Sequence, residues 1–251
     1  MPRFYLPPDK CSESGLFLTG REAHHAMHVL RLRRGDSVTV LNGAGCEFRC
    51  EVQQYDRDKV KLAVVAKTSA AAQPCQITLL QALPKGKIIE SIIQKATELG
   101  AARIVPLLSE RVTSVQLDSK DLRRKADKWR LVAIEAIKQC GAAWLPQIDP
   151  PVTTKQFLAR GEILDLSLIA SLQSHTRHPR EYFQAFQSKS GRMPSSISIW
   201  VGPEGDFTPE EVSSAITAGA QPISLGPLVL RTETAATYCL SIVNYELTSP
   251  H

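Results

Sequence analysis

The chain has 251 residues, 43% of them apolar and 22% charged. That is room for one large domain or two modest ones, each with a real core. The composition excludes collagen, a disordered acidic tail and a membrane bundle. No run approaches the ~18 apolar residues of a bilayer span, and MPRFYLPPDK has no apolar stretch of the signal-peptide kind. Lysine and arginine exceed aspartate and glutamate by 30 to 25, for a net charge of +5; this permits a nucleic-acid partner without demanding one. Cysteines 11, 46, 50, 75, 140 and 239 form no CxxC pair, which disfavours a zinc ribbon or redox site and suits a reducing cytosol.

The first 66 residues read mostly as β. Val38 and Val40 alternate with polar neighbours, as do Cys46, Phe48, Cys50 and Val52, then Val60, Leu62 and Val64; this is the period of half-buried strands. Asn42-Gly43 and Arg57-Asp58 supply turns between them. A small barrel is expected over 1–70, then a linker, KTSAAAQPCQ (67–76), and a second domain over 74–251.

Within the first part, Thr19 and Glu22 have capping-box spacing, so a helix is expected from Gly20. Helical periodicity puts Arg21, His24, His28 and Arg31 on one stripe, with Ala23, Ala26, Met27 and Leu30 opposite. The apolar side would pack on the barrel and the basic side, extended by Arg33 and Arg34, would meet phosphate or simply stay solvated. His24 and His28 lack a third ligand, so no metal is expected.

The rhythm changes after residue 76. ITLLQAL (77–83), ARIVPLL (102–108), SLIAS (167–171) and SISIWV (196–201) are short apolar runs, as buried parallel strands are. Helical patterns fall at 86–99, 118–140, 209–218 and 233–247. Strands alternating with helices predict an α/β domain with a parallel sheet. The helix at 118–140 carries Lys120, Arg123, Arg124, Lys125, Lys128 and Arg130, a charged face that alone is weak evidence for RNA.

Two stretches carry the chemistry. In SISIWVGPEGDF (196–207) a buried strand runs straight into Gly202-Pro203-Glu204-Gly205. Ligands of parallel sheets bind beyond strand carboxyl ends, and glycines let the main chain come close; by itself GPEG could equally be a tight turn. Thr208 should cap the next helix, with Pro209 at its first position. In PISLGPLVLRTETAATYCL (222–240) a strand leads to Gly226-Pro227, and Thr232 looks like the cap of the last helix. Backbone groups of Leu225 to Leu230 could read an adenine edge, and Arg231 could bind phosphate or pair with Glu233. GxGxxG after a strand and GxxxxGK[ST] are both absent, which disfavours an NAD-type site and a P-loop.

Taken in order, these motifs resemble the bacterial 16S ribosomal RNA uridine-N3 methyltransferases of the RsmE family, in the SPOUT class. HHAMHVLRLRRGD, QKATELGAARIVPLLSERV (94–112), EAIKQCGAAWLPQI (135–148), VGPEGDF and LGPLVLRTETA look like successive family signatures. Asp206 stands where a second glycine is usual, Leu228 where an arginine often stands, and Ala142 replaces the arginine of a QCGR pattern.

The resemblance implies a small N-terminal PUA-like β-barrel joined to a SPOUT α/β domain, with a parallel sheet and a C-terminal trefoil knot. It implies a cytoplasmic homodimer acting on 16S rRNA or the small ribosomal subunit, without metal or membrane. S-adenosyl-L-methionine would be held by Leu172, by Val201, Gly202, Pro203, Glu204 and Gly205, and by Leu225, Gly226, Leu228, Leu230 and Thr232. Arg231, Glu98 and Arg111 would serve catalysis, and Arg3, Arg21, His24, His28, Arg31, Arg33, Arg34, Ser109 and Gln139 the RNA. A fold-retaining RNA-binding protein without catalysis, or a ribose 2′-O-methyltransferase, are the alternatives.

Overall fold

The computed structural model describes residues 1–12, 15–111, 118–172 and 176–248. The chain divides into two units: Met1–Ala72 with Ile134–Leu145, and Gln73–Ala133 with Pro146–His251. The short segment 134–145 therefore belongs with the N-terminal part, although it lies far beyond the expected boundary near residue 70.

In the first unit β1 (Arg3–Tyr5), β2 (Leu16–Thr19), β3 (Ser37–Leu41), β4 (Cys46–Asp56) and β5 (Lys59–Ser69) form one sheet in the order β1-β3-β4-β5-β2. β5 extends to Ser69 and so takes up the start of the expected linker. Register shifts at Arg49/Cys50 and Val52/Gln54 interrupt the β4–β5 pairing; such bulges bend a ladder and deepen its twist. The alternating residues point inward as expected: Val38, Val40, Phe48, Cys50, Val52, Val60 and Leu62 are buried in one cluster with Phe4, Leu16 and Leu18. Asn42 shapes the turn before β4, its Oδ1 accepting from the Ala44 and Cys46 amides at 2.8 and 2.9 Å.

The basic segment departs from the sequence expectation. The helix α1 covers only Gly20–His24 and passes into a π-helical turn, His25–Val29. Thr19 makes no capping bond. Glu22 reaches instead for the Tyr5 amide at 3.3 Å and for Lys138 Nζ at 2.9 Å. A buried ammonium draws this carboxylate more strongly than a capping amide does. The wider π-turn shifts later positions around the axis, so Leu30 is exposed while Ala23 and Ala26 stay buried. Arg31 leaves the helix altogether at φ 52°.

The second unit is a seven-stranded parallel sheet. β6 (Gln76–Ala82), β7 (Arg103–Leu108), β8 (Gln147–Ile148), β10 (Leu166–Ala170), β11 (Ser196–Val201) and β12 (Gln221–Ile223) lie in the order β12-β10-β11-β6-β7-β8, and β9 (Val152–Thr153) pairs β7. The helices are α2 (Ile88–Glu98), α3 (Ser119–Cys140), α4 (Thr154–Leu158), α5 (Pro179–Ser190), α6 (Pro209–Thr217) and α7 (Thr232–Thr248). The apolar runs are buried because helices cover both faces of a parallel sheet: Ile77, Leu79, Leu80, Ile104, Val105, Leu168, Ile197, Ile199 and Trp200 are all core residues. α2 buries Ile89, Ile92, Ile93 and Ala96. Thr208 caps α6 as expected, in a capping box with Glu211. In α3 one stripe, Ala126, Trp129, Ala133 and Ala136, is buried, while Cys140 is exposed.

Candidate cofactor pocket and its surroundings

β12, β10 and β11 are neighbours in the sheet and parallel. Their carboxyl ends therefore open on the same side, and the three loops that follow meet there. Together they enclose a cavity of about 310 Å³, large enough for a small ligand. Its lining takes Leu172 from the first loop, Val201, Gly202, Pro203 and Glu204 from the second, and Leu225, Gly226, Leu228, Leu230 and Thr232 from the third and the start of α7. Pro227 and Val229 of the Leu225–Leu230 stretch line it too, as do Thr176, Asp206 and Ser224, which the motifs did not single out for this role. Leu228 and Val229 are 74% and 77% exposed, so the third loop presents apolar side chains at the mouth. Gly226 sits at φ 107°, a conformation that costs any side-chain-bearing residue strain.

Gly202 is needed for room. A Cβ there would lie 2.7 Å from Asp206 Oδ1 and 3.2 Å from both Asp206 Cα and the Phe207 amide. What presses on it is the turn that follows, so the glycine serves the loop's own shape before it serves any ligand. Asp206 closes that turn at φ 61°, where a short polar side chain can replace glycine. Its Oδ1 accepts from the Phe207 amide at 2.8 Å.

The loop is tied on three sides. Glu204 accepts from the Lys85 amide, Oε1 at 3.1 Å and Oε2 at 3.4 Å. The Arg111 guanidinium donates to the Gly205 carbonyl. Thr232, expected as a helix cap, is instead the first residue of α7. Its hydroxyl donates to the Gly202 carbonyl and accepts from Gln81 Nε2. Gln81 is fully buried, and among the described residues its Oε1 has no partner. A lone polar residue near the end of ITLLQAL was the available signal for it.

Other expected site residues lie elsewhere. Gly205 does not line the cavity; it faces Arg111, whose Cδ would be 3.6 Å from an added Cβ. Arg111 thus holds a loop rather than reaching into the pocket. Glu98 is not among the lining residues; it bonds Gln94 and Lys95 on its own helix. The Gln94 amide, joined by the Lys95 ammonium and working against burial, draws its carboxyl below the ordinary range. Ser109 is completely buried with no partner for its hydroxyl among the described residues, so it cannot meet RNA at the surface. Arg231 precedes Thr232 at the pocket's edge, exposed; no bond to Glu233 forms among the described residues. Val112, at the end of one quoted motif, lies outside the described residues.

In the first unit Arg3 is committed to structure: its Nη1 donates to the Lys138 and Gln139 carbonyls at 3.3 and 3.0 Å, which would otherwise be unsatisfied at the end of α3. Arg3 thus clamps the helix end through Nη1. The Gln139 side chain is exposed. Arg21 is 3.3 Å from Glu135. His24 and His28 stack with ring centres 4.8 Å apart, and no metal-holding group of three occurs among the described residues. Arg31, Arg33 and Arg34 are exposed.

The sequence matches two family models, an RNA methyltransferase domain over residues 71–244 and an RNA methyltransferase PUA domain over residues 18–65. The chain is 34% identical over 250 residues to ribosomal RNA small subunit methyltransferase E of Bacillus subtilis, covering 98% of this chain and 97% of that one. A methyltransferase of Legionella pneumophila, solved with SAM bound, superposes with a TM-score of 0.83 at 32% identity, covering 96% of each chain. Ribosomal RNA small subunit methyltransferase E of Neisseria gonorrhoeae, solved with S-adenosyl methionine, gives 0.82 at 26% identity over 97% of this chain and 96% of that one.

Proposed function

The chain belongs to the ribosomal RNA small subunit methyltransferase E family, and from that premise we propose that it methylates N3 of a specific uridine in 16S rRNA. The observation that carries this reading is the pocket at three adjacent strand ends, built from GPEG and LGPLVLRT. Its fit to S-adenosylmethionine is chemical as well as spatial. Leucine and valine walls suit an adenosine, the main chain of two glycine-bearing loops offers hydrogen bonds, and among the described residues the only lining charges are carboxylates, which suit a cation.

When bound, the cofactor supplies an activated methyl group. What the protein must add is mainly position, worth up to ~7–11 kcal/mol in a well-aligned pair. Val201 to Glu204 and Leu225 to Leu230 hold the donor. Arg231, exposed beside the pocket, is placed to meet a uracil carbonyl or its phosphate and to stabilise charge as the N3 proton leaves. The uridine must be drawn out of its stack to reach the pocket. Arg33, Arg34 and Arg31, with His24 and His28, offer the first unit's basic surface to phosphate. The sheet of the first unit is read as a PUA-like barrel. The segment through Leu225–Leu230 into α7 is read as part of a SPOUT trefoil knot. A homodimer is favoured by Tyr238 and Tyr245, seven apart on α7 and 46% and 60% exposed. No helix of the described residues is long and apolar enough to cross a membrane; a ribosomal RNA substrate supports a cytoplasmic location.

The test is nucleoside mass spectrometry of 16S RNA from small subunits lacking the modification, incubated with enzyme and cofactor. The expected product is 3-methyluridine. A ribose-methylated nucleoside, or no methylated nucleoside, overturns the reading.

A further inference from the structure

The cavity has the opposite sign to the protein around it. The chain carries a net charge of +5, yet among the described residues no lysine, arginine or histidine lines the pocket, and two carboxylates, Glu204 and Asp206, do. They are not equivalent. Both Glu204 oxygens lie within reach of the Lys85 amide. Asp206 spends only Oδ1, on the Phe207 amide; among the described residues nothing bonds its Oδ2. The backbone settles where this group can go. At φ 61°, with Oδ1 lying over Gly202, the side chain is pinned at the pocket wall. A half-buried carboxylate without a cationic partner is costly unless a ligand brings the charge.

The two ligands of a methyl-transfer cycle differ in that charge. On transfer the bond between sulfur and the methyl carbon breaks, and its electron pair stays on sulfur. A bond from uracil N3 to that carbon forms, and the N3 proton passes to solvent. The sulfonium has then become a neutral thioether, and S-adenosylhomocysteine carries one positive charge fewer than S-adenosylmethionine. Every carboxylate near the pocket favours the first ligand over the second. We propose that Asp206 is the counter-charge by which this pocket prefers S-adenosylmethionine to S-adenosylhomocysteine, so that the product is released once the charge has gone. The proposal rests on the methyltransferase reading above and assigns a specificity-determining residue to the same site.

Titration calorimetry with each ligand separately tests it, on the wild type, Asp206→Asn and Asp206→Gly. Asparagine and glycine both accept the left-handed backbone, and asparagine keeps an oxygen for the Phe207 amide, so each variant removes the charge without forcing the turn. The expected result is that the preference for S-adenosylmethionine falls about fivefold in both variants, through weaker binding of that ligand, while S-adenosylhomocysteine affinity changes less than about twofold. An unchanged ratio, or equal weakening of both ligands, overturns the proposal. A wild-type protein that binds neither ligand overturns the methyltransferase reading itself, a separate outcome.

Discussion

The Thr232 hydroxyl donates to the Gly202 carbonyl at 2.7 Å, and accepts from Gln81 Nε2 at 2.9 Å. One side chain thus joins the end of β6, the loop after β11 and the first turn of α7. Both pocket loops inherit their relative position from it. Thr232→Val keeps the shape and deletes the hydroxyl, leaving the Gln81 donor and the Gly202 acceptor without that partner. The expected loss is about 1–3 kcal/mol of stability, with a drop in cofactor affinity. Thr232→Ser should restore most of both. Thermal melts and calorimetry on the pair check this; a serine variant as impaired as the valine variant would sink the assignment.

Gly202→Ala should damage cofactor binding through the protein's own turn. The added carbon meets the Asp206 and Phe207 backbone at 3.2 Å, which must shift at about 1–3 kcal/mol for an overpacked site. Combining it with Asp206→Gly removes the 2.7 Å contact with Oδ1 but leaves the backbone contacts. Measured against Asp206→Gly alone, adding Gly202→Ala is therefore still expected to weaken cofactor binding, as read by calorimetry. No further weakening would mean that the carboxylate alone was the obstacle.

Arg231→Ala is expected to leave cofactor affinity within about twofold and to lower methyl transfer by about 100-fold, the usual cost of losing one group that stabilises developing charge. Single-turnover transfer of labelled methyl to small subunits separates the two effects. A parallel loss of cofactor binding would move Arg231 from the RNA side of the pocket to its wall.

At the amino-terminal end of the sheet, Asp149 is buried with Arg103 Nη2 at 2.6 Å and Arg160 Nη1 at 2.9 Å. Burial acts to raise its carboxyl pKa, but the bonds from Arg103 and Arg160 outweigh it, and the net position is below the ordinary 3.8. A folded-state value below the unfolded one contributes stability that is complete above pH ~4 and fades as pH falls through the folded value. Asp149→Asn should therefore cost about 3 kcal/mol at pH 7, and the gap to wild type should narrow below pH ~3. Melts across that range check it; a constant gap would show that packing, not charge, is lost.

The sequence by itself marked β3 to β7, β10 to β12 and the helices α2, α3, α6 and α7, but not α4 or α5, together with where along the chain the pocket loops lie. Alternating Val38, Val40, Phe48 and Cys50 can bury one face only as a strand. Apolar runs such as SISIWV can be satisfied only between layers, and glycine-bearing bends after such runs mark strand ends, where a ligand loop and a plain tight turn read alike. These are local consequences of period and backbone freedom, and they read directly from residue order. Tertiary structure decided what each polar side chain meets. The capping pattern of Thr19 and Glu22 is sound locally, yet Glu22 turns to Lys138, 116 residues away. Arg3 reads as a free cation, yet the end of α3 brings two unsatisfied carbonyls to it. Ser109 sits in a family-like motif, yet its hydroxyl is sealed in the interior. Hydrogen bonds and ion pairs depend on partners distant in the chain, so a motif marks where a site lies while the packed sheet settles which of its side chains are free to act.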